Sequence, residues 1–449
     1  MALRIGRKIL FSLIAVGLMA DPALARGPSL IRDAEIENTI RAYGAPLFAM
    51  AGLEPSSVRV LLIKDPRLNA FVAGGQNIFL NTGLLMESDT PNQVIGVIAH
   101  ETGHISGGHL ARTQDALRDA SAQSIIALVL GAAAIAGGAG SAGGALIAGG
   151  ATAAQRSFLK YSRTQEGAAD QAALRFLDET GQSARGMLEF FEKLGDQEAL
   201  LTANQDPYVR THPLTRERVD TIRAHVANSP YSDVPDPPEL IAAHERMKAK
   251  LRGFLDTPVQ TFRHYPESDT SLPARYARVV AYHKQNDLER AIAGIDELLA
   301  ENPDDPYFLE LKGQVLFESG RIDESIPPYI ESVRRAPNEP LLLIGLGQAQ
   351  ASSNDDANIK PAIETLEAAV RLDRRSATAW RWLATAYGRD QQIGMARLAT
   401  AERYLLLRRY RDAGQQAARA LQVLPTGSPG HLRAQDIEAA AKTARDKRK

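Results

Sequence analysis

A period of 34 residues in the C-terminal half restricts the fold of this chain more than any other feature. Ala277 precedes Leu311 by 34 positions, as Asn286 precedes Gly320, Ala291 precedes Ser325 and Pro303 precedes Pro337. Small residues therefore recur where two helices would cross, and proline recurs where the second helix would end. A unit of that length cannot bury its apolar face alone, so neighbouring units must stack into an all-α solenoid.

A third unit carries Gly345 and Ala362, with a small insertion around Ser352 to Asn358. A fourth contains Trp380, Ala384, Tyr387 and Gly388, and a fragment follows from Ala413 to about Val423. This is the signature of tetratricopeptide helix pairs. The repeat domain is expected over 271–430, followed by a solvated, frayed basic tail over 431–449 that is richest in charge from Lys442 onward.

The N-terminal half carries chemistry. His100-Glu101-Thr102-Gly103-His104 is an H-E-x-x-H motif, approached by the apolar run Val94 to Ala99. Histidines at i and i+4 share one helical face, so both imidazoles can reach a single Zn²⁺. Glu101 lies beside the first histidine and can act as general base on a water acidified by the metal. Gly103 is a poor helix former, costing ~1 kcal/mol relative to alanine, and is expected to admit close backbone packing.

A zinc site needs a third protein ligand. His109 follows His104 by five positions, which on a continuous helix turns it about 140° away. It reads instead as a helix-capping or core-contact histidine. Glu166 is the better candidate. It shares a helical face with Asp170, which could accept the second ring N–H of a ligating histidine and fix its tautomer. Without the histidine motif, this carboxylate pair would read as a solvated helix face.

Elsewhere the pattern predicts a helix over Asp33–Met50 and a strand over Val58–Ile63. Strands Asn69–Val72 and Ile78–Asn81 flank Gly74-Gly75 as a hairpin. A helix starts after Thr82-Gly83, and Pro91 opens a longer one reaching about Arg112. Residues 120–155 hold no charge and many glycines. They read as a helical hairpin with a glycine-rich tip, a lid beside the site, or a segment making peripheral membrane contact. The pattern is helical again over 156–226. Residues 229–270, rich in proline, read as a linker with one short helix over Glu239–Phe254.

At the start, Arg4, Arg7 and Lys8 precede the apolar run Ile9–Met19, and Ala23-Leu24-Ala25 supplies a cleavage site. Residues 1–25 are expected to be a secretory signal peptide. With no cysteine, the exported protein can form no disulfide and carries no lipidated cysteine. A formal net charge of −1 provides no basic field for nucleic acid.

Together these motifs resemble the M48 metallopeptidases, in the periplasmic branch that joins a protease to C-terminal tetratricopeptide repeats. The likeness rests on Asn69-Ala70-Phe71, on Ile78 to Leu85, on His100 to His104, on Glu166 to Asp170 and on Thr211-His212-Pro213. It implies an α+β, gluzincin-like domain over 26–228, with the zinc helix beneath a small sheet. His100, His104 and Glu166 would ligate one Zn²⁺ per chain, with Glu101 as base and Asp170 behind a ligating histidine. His212 would lie over the metal, either stabilising the oxyanion of the tetrahedral intermediate or filling the fourth position in a latent enzyme. Arg218, in the same segment, would be a candidate carboxylate partner. The edge strand near Asn69–Val72 would receive an extended substrate by β-pairing. The implied clients are misfolded or misassembled envelope proteins in the periplasm, with the repeats recruiting them or an outer-membrane assembly machinery. A different class of function stays open, a chaperone-like scaffold whose metal site is structural or latent.

Overall fold

A computed structural model describes residues 29–112, 115, 161–200 and 212–447. The expected signal peptide over 1–25 and the glycine-rich segment over 120–155 lie outside the described residues.

Helix α1 (Ala34–Met50) is capped by Asp33, which accepts from the Ile36 N–H at 2.9 Å. Ile36, Ile40, Tyr43 and Leu47 form its buried stripe. Against it lies a four-stranded sheet of order β1-β2-β4-β3, from β1 (Leu30–Ile31), β2 (Arg59–Ile63), β3 (Ala70–Ala73) and β4 (Asn77–Asn81). Strand β2 runs parallel to β4, and β3 folds back antiparallel with Phe71 opposite Phe79. β2 is buried without alternation from Val60 to Ile63, as suits a strand covered on both faces. β3 is an edge strand among the described residues, consistent with the expected substrate edge.

Beyond α2 (Thr82–Glu87), helix α3 (Pro91–Ser106) starts on a Thr90 cap with Pro91 in its first turn. Every residue from Pro91 to His104 is buried, so the motif sits on a central core helix. Among its neighbours are α1 and α5 (Arg185–Leu200). Residues 161–179 form α4, and Arg216–Asn228 form α6. One expectation fails here: α3 stops at Ser106 instead of reaching Arg112. The Gly107-Gly108 pair breaks it, with Gly108 at φ 63°, and the chain becomes helical again at 109–112.

The segment expected to be a linker with one short helix forms two, α7 (Pro238–Leu255) and α8 (Pro258–His264). Met247 and Leu251 of α7 join the core of the N-terminal half, while Ala249 packs with Tyr265, Ala274 and Ala277. This segment is a wedge shared by both halves.

Five helix pairs follow among the described residues. They are α9 (Leu272–Lys284) with α10 (Leu288–Glu301), α11 (Pro306–Glu318) with α12 (Ile322–Arg335), and α13 (Pro340–Ser352) with α14 (Ile359–Leu372). Then come α15 (Ala377–Arg389) with α16 (Ile393–Leu406), and α17 (Tyr410–Leu421) with α18 (Pro429–Asp446). The insertion in the third pair is a short 3₁₀ turn, Asp356–Asn358. The last pair corrects two expectations, since residues 410–446 are neither a fragment nor a frayed tail. Ala434, Ile437 and Ala441 form an apolar stripe buried against Ala413, Ala417 and Ala420. The dense Lys and Arg around that stripe masked it in the sequence.

The two halves dock through α1. Asn38 donates to Tyr307 Oη at 2.9 Å and to Glu339 Oε2 at 2.8 Å, and the Tyr276 hydroxyl donates to Glu35 Oε2 at 2.8 Å. No helix among the described residues is long and apolar enough to cross a membrane.

Candidate metal centre

Three segments converge on one buried point. Helix α3 brings His100, Glu101 and His104, α4 brings Glu166 and Asp170, and the turn before α6 brings His212. One ligand atom from each of His100, His104, Glu166 and His212 lies within 4.8 Å of all the others. His100 Nε2 is 3.1 Å from His104 Nε2 and 3.3 Å from His212 Nδ1. Glu166 Oε2 is 3.1 Å from His212 Nδ1 and 3.4 Å from His100 Nε2, and its Oε1 is 3.4 Å from His104 Nε2. Ligand atoms bound tetrahedrally at about 2.0–2.1 Å stand about 3.3–3.4 Å apart, so the spacing suits Zn²⁺. Ring nitrogens and carboxylate oxygens are also the donors that zinc favours.

Behind the cluster, each group has a partner. The His100 Nδ1–H donates to Asp170 Oδ1 at 2.9 Å, which leaves Nε2 as a lone pair facing the cluster. Arg218 clamps Asp170 with two bonds, Nε to Oδ2 at 2.6 Å and Nη2 to Oδ1 at 2.9 Å. It also reaches Glu166 Oε2 at 3.1 Å and lies over the Phe191 ring. Burial alone would depress His100, but hydrogen bonds to Asp170 and Glu166 carry it up to about 9. Burial would raise Glu166 and Asp170; instead, the histidines hold Glu166, and Arg218 with His100 holds Asp170, below the usual carboxylate range.

Gly103 explains how α4 comes so close. A Cβ at Gly103 would lie 2.7 Å from the carbonyl oxygen of Ala169, between Glu166 and Asp170. Any side chain there would push α4 away from α3.

Glu101 is wholly buried, and neither carboxylate oxygen makes a hydrogen bond; His212 Nε2 stands 3.5 Å from Oε1. A buried carboxylate without hydrogen bonds costs several kcal/mol, and such a group waits for a proton-bearing ligand. His109 stands apart from the ligand set, but it does not face away. Its Nδ1 is 3.0 Å from His104 Nδ1, and burial pulls it down to about 4, so the ring is neutral. The 140° argument failed because it assumed an unbroken helix; the Gly-Gly pair was the signal that could have revealed the return.

An H-E-x-x-H helix beside a glutamate-bearing helix, with a buried ligand set suited to zinc, defines a zinc metallopeptidase domain. Residues 33–226 match Peptidase family M48. It is 25% identical over 395 residues to the Beta-barrel assembly-enhancing protease of Escherichia coli K12, spanning 83% of this chain and 80% of that one. The Putative beta-barrel assembly-enhancing protease of Vibrio cholerae is 24% identical, and the match covers 64% of this chain and 60% of that relative. Metalloprotease LoiP of Escherichia coli K12 is 31% identical over 170 residues, 38% of this chain and 62% of its own.

Proposed function

We propose that this chain is a zinc endopeptidase that cuts unfolded or misassembled polypeptides, with His100, His104 and Glu166 as ligands and Glu101 as base. The observation that carries the reading is the buried ligand cluster with the Glu101 carboxylate unbonded beside it. When bound, zinc supplies a Lewis acid that polarises the scissile carbonyl and acidifies water. Glu101 takes the proton of the attacking water and passes it to the leaving amine nitrogen as the C–N bond breaks. Asp170 holds the His100 ring in register, and Arg218 holds Asp170.

His212 supports a latent resting state. Catalytic zinc sites keep one position open, whereas His212 Nδ1 lies among the ligand atoms. Displacing it opens that position and frees an imidazole to stabilise the developing oxyanion.

The clients on this reading are envelope proteins met in the periplasm, after export through residues 1–25. Two relatives are named for β-barrel assembly, which favours outer-membrane proteins and their assembly machinery as clients and partners. A cavity of about 1030 Å³ lies between the sheet, α7 and the repeats, lined by Ile31, Leu61, Phe254, Phe317 and Ile344. Arg59, Lys64 and Arg375 also line it, and it suits an extended apolar segment recruited before cleavage.

The test is zinc content and casein cleavage of the exported form, beside Glu101→Gln and His212→Ala. Glu101→Gln should keep about one zinc per chain and lose cleavage by at least ~100-fold. His212→Ala should cleave faster than the wild type. Equal activity in Glu101→Gln, or no zinc, would replace the protease by a chaperone-like scaffold.

A further inference from the structure

We infer that His109 is a positioning residue of the metal centre, fixing the ring of His104 and setting how tightly the centre holds zinc. The inference rests on the reading of His100, His104 and Glu166 as ligands.

His104 Nε2 faces the cluster, so its Nδ1 points away from it. There it meets His109 Nδ1 at 3.0 Å, with ring centroids 5.0 Å apart and planes at 81°. A hydrogen bond between two ring nitrogens needs one proton and one lone pair. A ligating Nε2 must offer its lone pair to the metal, so the His104 proton sits on Nδ1. His109 Nδ1 then accepts it and keeps its own proton on Nε2. The same logic places the His100 proton on Nδ1, facing Asp170.

The turn after α3 serves this contact. Its left-handed Gly108 brings the chain back toward the helix it has just left. A Cβ on Gly107 would lie 2.3 Å from His109 Nε2, so the imidazole packs directly under the turn. His109 is only 5% exposed, and a buried ring held from both sides has little freedom to release His104.

The two histidine ligands are thus supported by unlike partners. His100 leans on a carboxylate that is itself clamped by Arg218. His104 leans on an imidazole, which orients the ring. His109 touches no reacting atom and acts through His104. Removing such a partner costs typically 10–100-fold in metal affinity.

The experiment compares full chains of the wild type, His109→Phe and His109→Asn. Zinc affinity is read by chelator competition, ligand geometry by the absorption spectrum of the cobalt-substituted protein, and folding by the melting temperature of the metal-free form. His109→Phe should bind zinc 10–100-fold more weakly and alter the cobalt spectrum, with the metal-free melting temperature unchanged. His109→Asn, whose Oδ1 can accept the same proton, should recover affinity to within about threefold. Wild-type affinity and spectrum in His109→Phe would overturn the inference, as would His109→Asn binding as weakly as His109→Phe. A wild type that takes no zinc would instead sink the ligand reading itself.

Discussion

Asp170 and Arg218 are the residues that turn two histidines on a helix into a defined donor set. Each is buried, and they neutralise one another through a two-bond clamp. Asp170→Asn keeps the size of the side chain but removes the charge that draws on the His100 Nδ1–H. Zinc affinity should fall 10–100-fold, read by chelator competition; an unchanged affinity would mean that Asp170 serves packing only. Glu166 and Asp170 were legible in the sequence from their i, i+4 spacing beside the histidine motif. The clamp by Arg218 was expected only as a carboxylate contact, because its partner lies 48 positions away. The His109 contact was not legible from helical spacing, since angular arithmetic on a helix has no term for where that helix stops; only the Gly107-Gly108 pair signalled the stop.

At the scale of elements, the decisive contact is α3 against α4 at Gly103. By propensity, Gly103→Ala should stabilise the helix by ~1 kcal/mol. The new methyl would meet the Ala169 backbone, which cannot swing aside like a flexible side chain. Overpacking of this kind costs typically 1–3 kcal/mol. The melting temperature and zinc affinity of Gly103→Ala should therefore both drop, and a higher melting temperature would refute the contact. Helix α7 supplies a pH dependence. His244 is wholly buried, its Nε2–H donates to the Ser88 carbonyl at 3.1 Å, and burial holds its pKa below 6.5. A lowered folded pKa means that the unfolded chain binds the proton first. Stability is then full above pH 6.5 and falls as pH drops below it, by at most ~1.4 kcal/mol per pH unit. Melting temperatures between pH 7.5 and 5.5 should decline more steeply in the wild type than in His244→Gln.

Across the whole molecule, a charged seam joins the catalytic half to the repeats. Lys250 of α7 is 1% exposed, 2.8 Å from Asp33 and 3.3 Å from Glu35. Arg246 bridges Glu35 at 2.7 Å and Asp305 at 2.5 Å. The seam thus links α1, the wedge and the second helix pair. Breaking a buried ion pair from one side costs about 3–5 kcal/mol, because the opposite charge stays buried. Lys250→Ala should split the calorimetric unfolding of the chain into separate transitions for its two halves. A single transition at the wild-type temperature would show that the seam contributes nothing to their coupling.

The sequence by itself determined what is local. The 34-residue period dictated stacked helix pairs, and the spacing of His100 and His104 dictated a shared helical face. Asp33 and Pro91 marked the starts of α1 and α3. Each of these signals is complete within a few turns of chain, because hydrophobic period and end capping act between near neighbours. Tertiary structure alone decided the strand order β1-β2-β4-β3, the packing of 238–264 as a wedge, and the arrival of His212 beside His100, 112 positions upstream. Those outcomes depend on the summed packing of remote surfaces, so no window of sequence contains them. The return of His109 belongs with them: two glycines permitted it, and the packed turn made it one geometry.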